Sequence, residues 1–362
     1  MKTLNIIQEV PKVLLHDHLD GGLRPQTIIE LAKDVKYNKL PTTDPGELEQ
    51  WFQKDANKGN LVKYLEGFSH TCAVMQSKEA LERIAYEMME DMQNDGVCYV
   101  ETRFAPVFHT DKGLYFDDVL NSVLEGLERG KKDFGVGYGV LLCGMRNMEN
   151  TLEIAELAVN FRNKGVVGFD LAGEEGGYPP KNHLEAFHFI QRNNFNITIH
   201  AGEAFGKESI WQAIQYCGSH RIGHATRLIE DMSFDKEGNI VGLGELAQYV
   251  LDKRIPLEIC LTSNVHTGAI DKLENHPFRK LYREKFRVFL NTDNRLMSGT
   301  SLTKEYLIAS ELFDLTLDDI EKLNLNAMKS AFAAYKERLH YIYKVLKPGY
   351  QKMKDKLLSL KV

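Results

Sequence analysis

No apolar run in the sequence approaches the roughly 18 residues needed to span a bilayer. The start, MKTLNIIQEVPKVLLHDH, lacks a basic segment followed by a sustained apolar stretch and a small-residue cleavage site. Neither membrane insertion nor export is expected. Cysteine is scarce: Cys72, Cys98, Cys143, Cys217 and Cys260 are odd in number and far apart. That pattern speaks against a disulfide framework and suits buried thiols in a reducing compartment, so the chain is read as cytoplasmic. An excess of positive charge is also missing. With 45 Lys and Arg against 51 Asp and Glu, the net charge is −6 over 362 residues. This argues against a non-specific nucleic-acid binder, although a local basic patch can hide inside such an average.

What is present is a repeat of short β-branched apolar runs alternating with longer segments of helical period. The runs are VLLHDHLDG from Val13, VCYVETRF from Val97, VGYGVLLCGM from Val136, VVGFDLAG from Val166, ITIHAGE from Ile197, RIGHAT from Arg221, LEICLTSN from Leu257 and RVFLNTDN from Arg287. Between them, Glu79 to Asn94 carries Leu81, Ile84, Ala85 and Met88 at helical spacing, with Asp95-Gly96 as a stop. Eight strands with intervening helices predict an α/β fold, a (β/α)₈ TIM barrel, and a barrel of this size folds as one domain over residues 1–362.

Nearly every run starts apolar and ends in His, Asp, Glu, Asn or Ser. The separations Asp170 to His200, His200 to His224 and Ser263 to Asp293 are 30, 24 and 30 residues, each close to one βα unit. In a parallel barrel all strand ends open on one mouth, so these groups predict a shared site there. Two stretches break the beat. Roughly 75 residues separate the first two runs, including the apolar cluster Leu61, Tyr64, Leu65 and Phe68; that length suits either a helical lid over the mouth or an inert helical decoration. From Leu315 onward the pattern is helical throughout, giving extra C-terminal helices whose many lysines read as a solvated face.

His16-Asp17-His18 places two imidazoles on one face of the first strand. With His200 and Asp293 at the ends of the fifth and eighth runs, three imidazoles and a carboxylate form a set suited to zinc with room for a water. The fourth run, GFDLAG, offers no lysine to bridge two ions, so a single ion is expected, lowering the pKa of its water. Glu203 stands three residues after His200, placed either as a general acid or base or as a helix-opening acid. His224 either orients the nucleophile or fills a core slot.

HDHLDG, DLAGEE, HAGE, GHAT, TSN and NTDN, in this order, together with KLNLNAMKSAF, resemble the adenosine deaminase family of the metal-dependent amidohydrolases over essentially the whole chain. The Cys-rich zinc deaminase design does not apply, since no C-x-x-C pair exists. The resemblance implies one zinc ion on His16, His18, His200 and Asp293, and deamination of adenosine to inosine by a zinc-activated hydroxide. It makes Glu203 the proton shuttle at purine N1 and His224 the group that orients the hydroxide. Gly173 would face N3, Asp20 would bind a ribose hydroxyl, and Phe68 would belong to the lid over a purine nucleoside. The family's usual pair of aspartates followed by proline is here Asp293, Asn294 and Arg295. Asn294 can donate to N7 without holding a proton. Adenine or another 6-aminopurine nucleoside is the alternative substrate; no nucleic-acid or membrane partner is expected.

Overall fold

A computed structural model describes residues 2–56 and 58–360. Eight parallel strands follow one another around the sheet in chain order: β1 Lys12–His18, β2 Val97–Phe104, β3 Gly137–Met145, β4 Val166–Ala172, β5 Ile197–Ala201, β6 Arg221–His224, β7 Leu257–Ile259 and β8 Val288–Leu290. The last strand is too short to reach β1 through its own ladder. The seam is closed beyond its end, where Asp17 bridges Asp293, the His18 N–H donates to the Asp293 carbonyl (2.8 Å) and the Asp293 N–H donates to the His16 carbonyl (2.9 Å). The expected (β/α)₈ barrel is therefore the observed fold, and its closing step holds three of the expected site residues, His16, His18 and Asp293.

The helices cover the outside because one face of each is apolar. Lys78–Asn94 starts at Ser77, whose side chain accepts from the Ala80 N–H, and it buries Leu81, Ile84, Ala85, Met88 and Met92. Its neighbour Phe116–Phe134 packs close through Gly126, where a Cβ would run into the Glu82 carbonyl. One contiguous cluster of buried apolar side chains extends from Ile7 to Met353. The five cysteines are free, with Cys143, Cys217 and Cys260 buried and Cys72 and Cys98 partly exposed.

Three local features go beyond the sequence reading. The seventh run stops as a strand at Ile259, and Leu261–His266 is helical, so Ser263 and Asn264 project from a helical turn rather than from a strand end. An antiparallel hairpin, Met232–Phe234 with Ile240–Leu243, follows β6. The C-terminal helices are interrupted between Ser330 and Tyr335, and two of their lysines do find partners: Lys354 pairs with Asp318 and Glu321, and Lys356 with Glu9. Those acids lie far away in sequence, so the charge run looked unpaired. Among the described residues no helix is long and apolar enough to cross a membrane.

Candidate active site

The insertion after β1 forms the helices Pro25–Asp34, Pro45–Ala56, Leu61–Glu66 and Phe68–Val74. Leu61, Tyr64, Leu65 and Phe68 line a cavity of 260 Å³ at the carboxyl mouth, together with His18, Asp20, Gly173, His200, Glu203, His224, Asp293 and Asn294. Of the two readings of that segment, the covering of the mouth is the one realised. The Phe68 ring meets His18 edge to face at 6.5 Å.

Four donor atoms, from His16, His200, His224 and Asp293, lie within 4.8 Å of one another. His18 joins them: its Nε2 is 3.2 Å from His200 Nε2 and 3.4 Å from Asp293 Oδ1. Five groups thus converge, the four expected as metal ligands and His224. Hydrogen bonding behind the rings sorts them. His16 Nδ1 is bonded to Glu258 Oε2 at 2.8 Å and His200 Nδ1 to Asp170 Oδ1 at 3.2 Å, so carboxylates hold the Nδ1 protons and both Nε2 lone pairs face the site. His16 Nε2 is buried without a hydrogen-bond partner.

His224 is opposite in polarity. The backbone N–H of Phe278 donates to His276 Nδ1 (3.0 Å), which leaves the proton on His276 Nε2, 3.1 Å from Asn264 Oδ1. Asn264 then presents its N–H₂ to His224 Nδ1 at 2.9 Å. A backbone amide can only donate, so the direction of the chain is fixed at its far end and the His224 proton lies on Nε2. Burial keeps both rings neutral, pushing His276 down to about 3 and His224 well below its ordinary value. A protonated Nε2 has no lone pair for a metal, which separates His224 from the other imidazoles. That nitrogen lies 3.6 Å from Glu203 Oε2.

Glu203 does not open a helix, since the next one begins at Lys207. Its loop is held by Glu175, whose carboxylate accepts from the N–H groups of Gly202 (2.6 Å), Glu203 (2.9 Å), Ala204 (2.6 Å) and Phe205 (2.9 Å). The Glu203 side chain turns into the cavity with Oε1 buried and unpartnered. Burial and the nearby Asp293 and Glu175 charges raise its pKa well above the ordinary carboxyl value. His224 (φ 65°) and Asp293 (φ 60°) both hold left-handed backbone, a strained conformation at the two strand ends that aim these side chains.

Asp20 is buried, its Oδ1 has no partner, and burial lifts its pKa to about 7. Gly173 has φ 98°, open only to glycine at little cost, where the backbone turns from β4 into the cavity wall. Asn294 packs its Oδ1 against Gly21, where a Cβ would collide with it. Arg295 has a structural partner: its Nε donates to Asp17 Oδ1 at 2.9 Å, and it pairs with Asp91 at 3.3 Å. Beneath the site the barrel interior is ionic. Arg103 bonds Asp170 (2.9 Å) and Glu258 (3.0 Å), and Arg221 bonds Glu258 and Glu101 (each 2.6 Å).

The sequence reading missed Glu175, Glu258, Arg103, Asn264 and His276. Glu258 had a signal: a carboxylate inside the apolar run Leu257–Cys260 must point into the barrel or out of it, and inside it needs partners.

The family model for adenosine deaminase matches residues 11–348. The chain belongs to the adenosine deaminase family. It is 52% identical to adenosine deaminase 1 of Streptomyces coelicolor, over 97% of this chain and 90% of that protein. It is 51% identical to the adenosine deaminase of Mycobacterium ulcerans, over 97% and 98%. Among solved structures, the Arabidopsis N6-mAMP deaminase superposes with a TM-score of 0.80 at 28% identity, covering 96% of this chain and 99% of that one. The adenine deaminase of Arthrobacter aurescens gives 0.82 at 24% identity, covering 93% and 98%, a likeness of fold. For a member of the adenosine deaminase family, the convergence of imidazoles and a carboxylate at the mouth is a site able to hold a metal ion.

Proposed function

We propose that this chain is a single catalytic unit that hydrolyses adenosine to inosine and ammonia, with one zinc ion held by His16, His18, His200 and Asp293. The observation that carries the reading is a set of buried polar atoms with no hydrogen-bond partner at one mouth, Asp20 Oδ1 and Glu203 Oε1, together with His16 Nε2, which meets only the Asp293 carboxylate at 3.2 Å. Buried polar groups are rarely left unpaired, so these await a ligand. The donor set fits zinc: nitrogen lone pairs aimed by carboxylate-bound rings and one carboxylate, Asp293, fixed by the Ser263 hydroxyl at 2.5 Å. Zinc supplies the Lewis acidity that makes water nucleophilic near neutral pH.

The remaining roles belong to the chain. Glu203 carries a proton and gives it to purine N1, which makes C6 electrophilic. The His224 Nε2–H orients the attacking water. As the new C6–O bond forms and the C6–N bond breaks, one water proton passes through Glu203 to the leaving amine, and the other ends on Glu203 as the C6 carbonyl forms, restoring its starting state while N1 keeps the proton it received. Asp20 accepts from a ribose hydroxyl, Gly173 faces N3, Asn294 donates to N7, and Phe68 covers the nucleoside beside His18. A cavity of 260 Å³ lies just below the roughly 300–1,000 Å³ typical of small-molecule sites, a size in keeping with a small ligand such as a nucleoside. Ammonia release from adenosine, adenine and AMP tests the reading. Adenosine is expected to give by far the highest kcat/KM, since Asp20 rewards the ribose; faster turnover of adenine would reassign the chain to the sister activity.

A further inference from the structure

The opposite end of the barrel shows a different chemistry. A cavity of 550 Å³ opens there among the starts of β5 to β8 and the turn after the helix Leu317–Ser330, lined by Lys253, Arg254, Arg287, Lys329 and Arg338 with no Asp or Glu among its walls. The chain as a whole carries six more acids than bases, so this collection does not follow from composition. Among the described residues none of the five forms an ion pair. Their donors reach only carbonyls: Arg338 Nη1 to Lys329 O at 2.9 Å, and Arg254 Nη1 to Lys285 O. Arg338 Nε is buried with no partner at all.

The floor of the cavity adds one unsatisfied donor from an arginine that is otherwise paired. Arg221 is fully buried; its Nη1 and Nε are taken by Glu101 and Glu258, but its Nη2 has no partner, and its guanidinium stacks 3.7 Å over the Phe332 ring. Burial and the facing charge of Arg254 push the Arg287 pKa down, the mark of like charges held together without a counterion. Gathering cations in a concave, partly desolvated place costs Coulomb energy that only an anion recovers. Guanidinium forks match phosphate oxygens two at a time, and five cations exceed what one phosphate group needs.

We propose that this cavity is a second binding site, remote from the catalytic mouth, for a small anion bearing two or more linked phosphate groups. Free pyrophosphate and the polyphosphate tail of a nucleotide share that chemistry. The test is calorimetric titration of the zinc-loaded chain with pyrophosphate, orthophosphate and ATP, with ionic strength held constant by NaCl. Pyrophosphate should bind once per chain with Kd of about 100 µM or tighter, and orthophosphate more weakly. ATP binding tighter than pyrophosphate would identify the nucleotide as the source; equal binding would show that the phosphates alone are read.

Pyrophosphate can also chelate zinc, so the control is the double variant Arg254→Gln/Arg287→Gln, whose mouth is untouched. It should lose at least tenfold in affinity while adenosine turnover stays unchanged. In phosphate-free buffer its Tm should equal or exceed that of the parent, since a repulsion is relieved, and the Tm rise caused by pyrophosphate should vanish. Equal binding by parent and variant, no heat above the NaCl-matched baseline, or binding of a single-stranded oligonucleotide without pyrophosphate binding would each overturn the proposal.

Discussion

Two carboxyl groups face the same cavity from opposite sides of the barrel, Asp293 beyond β8 and Glu203 beyond β5, and they are almost equally buried, at 3% and 4% exposure. Burial alone raises both pKa values. On the β8 side it is overcome: His16, whose Nε2 lies 3.2 Å away, and the surrounding imidazoles of His224 and His18 hold Asp293 well below the ordinary carboxylate range. On the β5 side it is reinforced by the charges of Asp293 and Glu175, which the nearby Thr267 hydroxyl and the charge of Arg146 do not offset, so Glu203 is held well above. The same functional group at the same depth is an anion on one side and a proton carrier on the other. The kind of neighbour makes that difference, imidazoles around Asp293 and carboxylates around Glu203, and such a spread is what the proposed acid catalysis requires.

Stripping the metal tests the β8 side and should have the largest effect. Dialysis against a chelator is expected to abolish turnover, with activity restored by one equivalent of zinc and one metal per chain found by elemental analysis. Two metals per chain, or full activity in a metal-free preparation, would break the assignment.

Asp20, another carboxyl lining the cavity, sharpens the comparison, because it is raised by burial with no cation opposite it; His109, at 3.8 Å, is itself pushed down to about 4 by burial. The folded chain binds the Asp20 proton more tightly than the unfolded chain does, with a pKa of about 7 against 3.8. Its stabilisation is complete below pH ~4 and is lost as pH rises towards ~7. Asp20→Asn, which cannot ionise, should match the parent in stability at pH 4 and exceed it at pH 7.5 by up to about 4 kcal/mol. Denaturant midpoints that differ by the same amount at both pH values would show that Asp20 is already ionised in the folded apo site.

The β5 side is tested by Glu203→Gln. Glutamine keeps the shape and the hydrogen bonding but cannot pass a proton, so kcat should fall at least ~10²-fold while KM and zinc content stay near those of the parent. Near-normal kcat would remove Glu203 from the reaction.

The parts of this site that were legible in the sequence are those where one strand declares its own chemistry. HDH, HAGE, GHAT and NTDN each place a reactive side chain at a strand end, and regular βα spacing brings those ends together whatever the rest of the barrel does. What was not legible depends on register between distant strands. That Glu258 lies under His16, that Asp17 receives Arg295, or that Glu175 gathers four amides of the 202–205 loop follows from which strands are neighbours and how far each is shifted. The five cations at the base were hidden for the same reason, scattered from Lys253 to Arg338 and averaged away by an acidic total. The lysine face at the C-terminus is largely exposed, and two of its lysines are paired by Glu9, Asp318 and Glu321 from elsewhere in the chain.

The smallest expected effect probes the link between the two sides. His224 stands between the imidazole cluster and Glu203, and it belongs with Glu203 only while its proton is on Nε2. That proton is placed by Asn264, whose amide oxygen accepts from His276 and whose nitrogen donates to His224. Asn264→Asp is nearly isosteric and keeps the bond from His276, but a carboxylate can only accept. The proton on His224 would then move to Nδ1, leaving a bare Nε2 lone pair aimed at the mouth. Turnover should fall about 10–100-fold, the usual cost of altering a group that orients a ring in a metal site, with the loss in kcat rather than KM. His276→Gln should be milder, because its amide can still donate to Asn264. A structural role for Asn264 would lower stability without moving the His224 proton, so nitrogen chemical shifts of labelled histidine separate the two. An unchanged His224 tautomer in Asn264→Asp would show that the relay does not set which side of the mouth His224 serves.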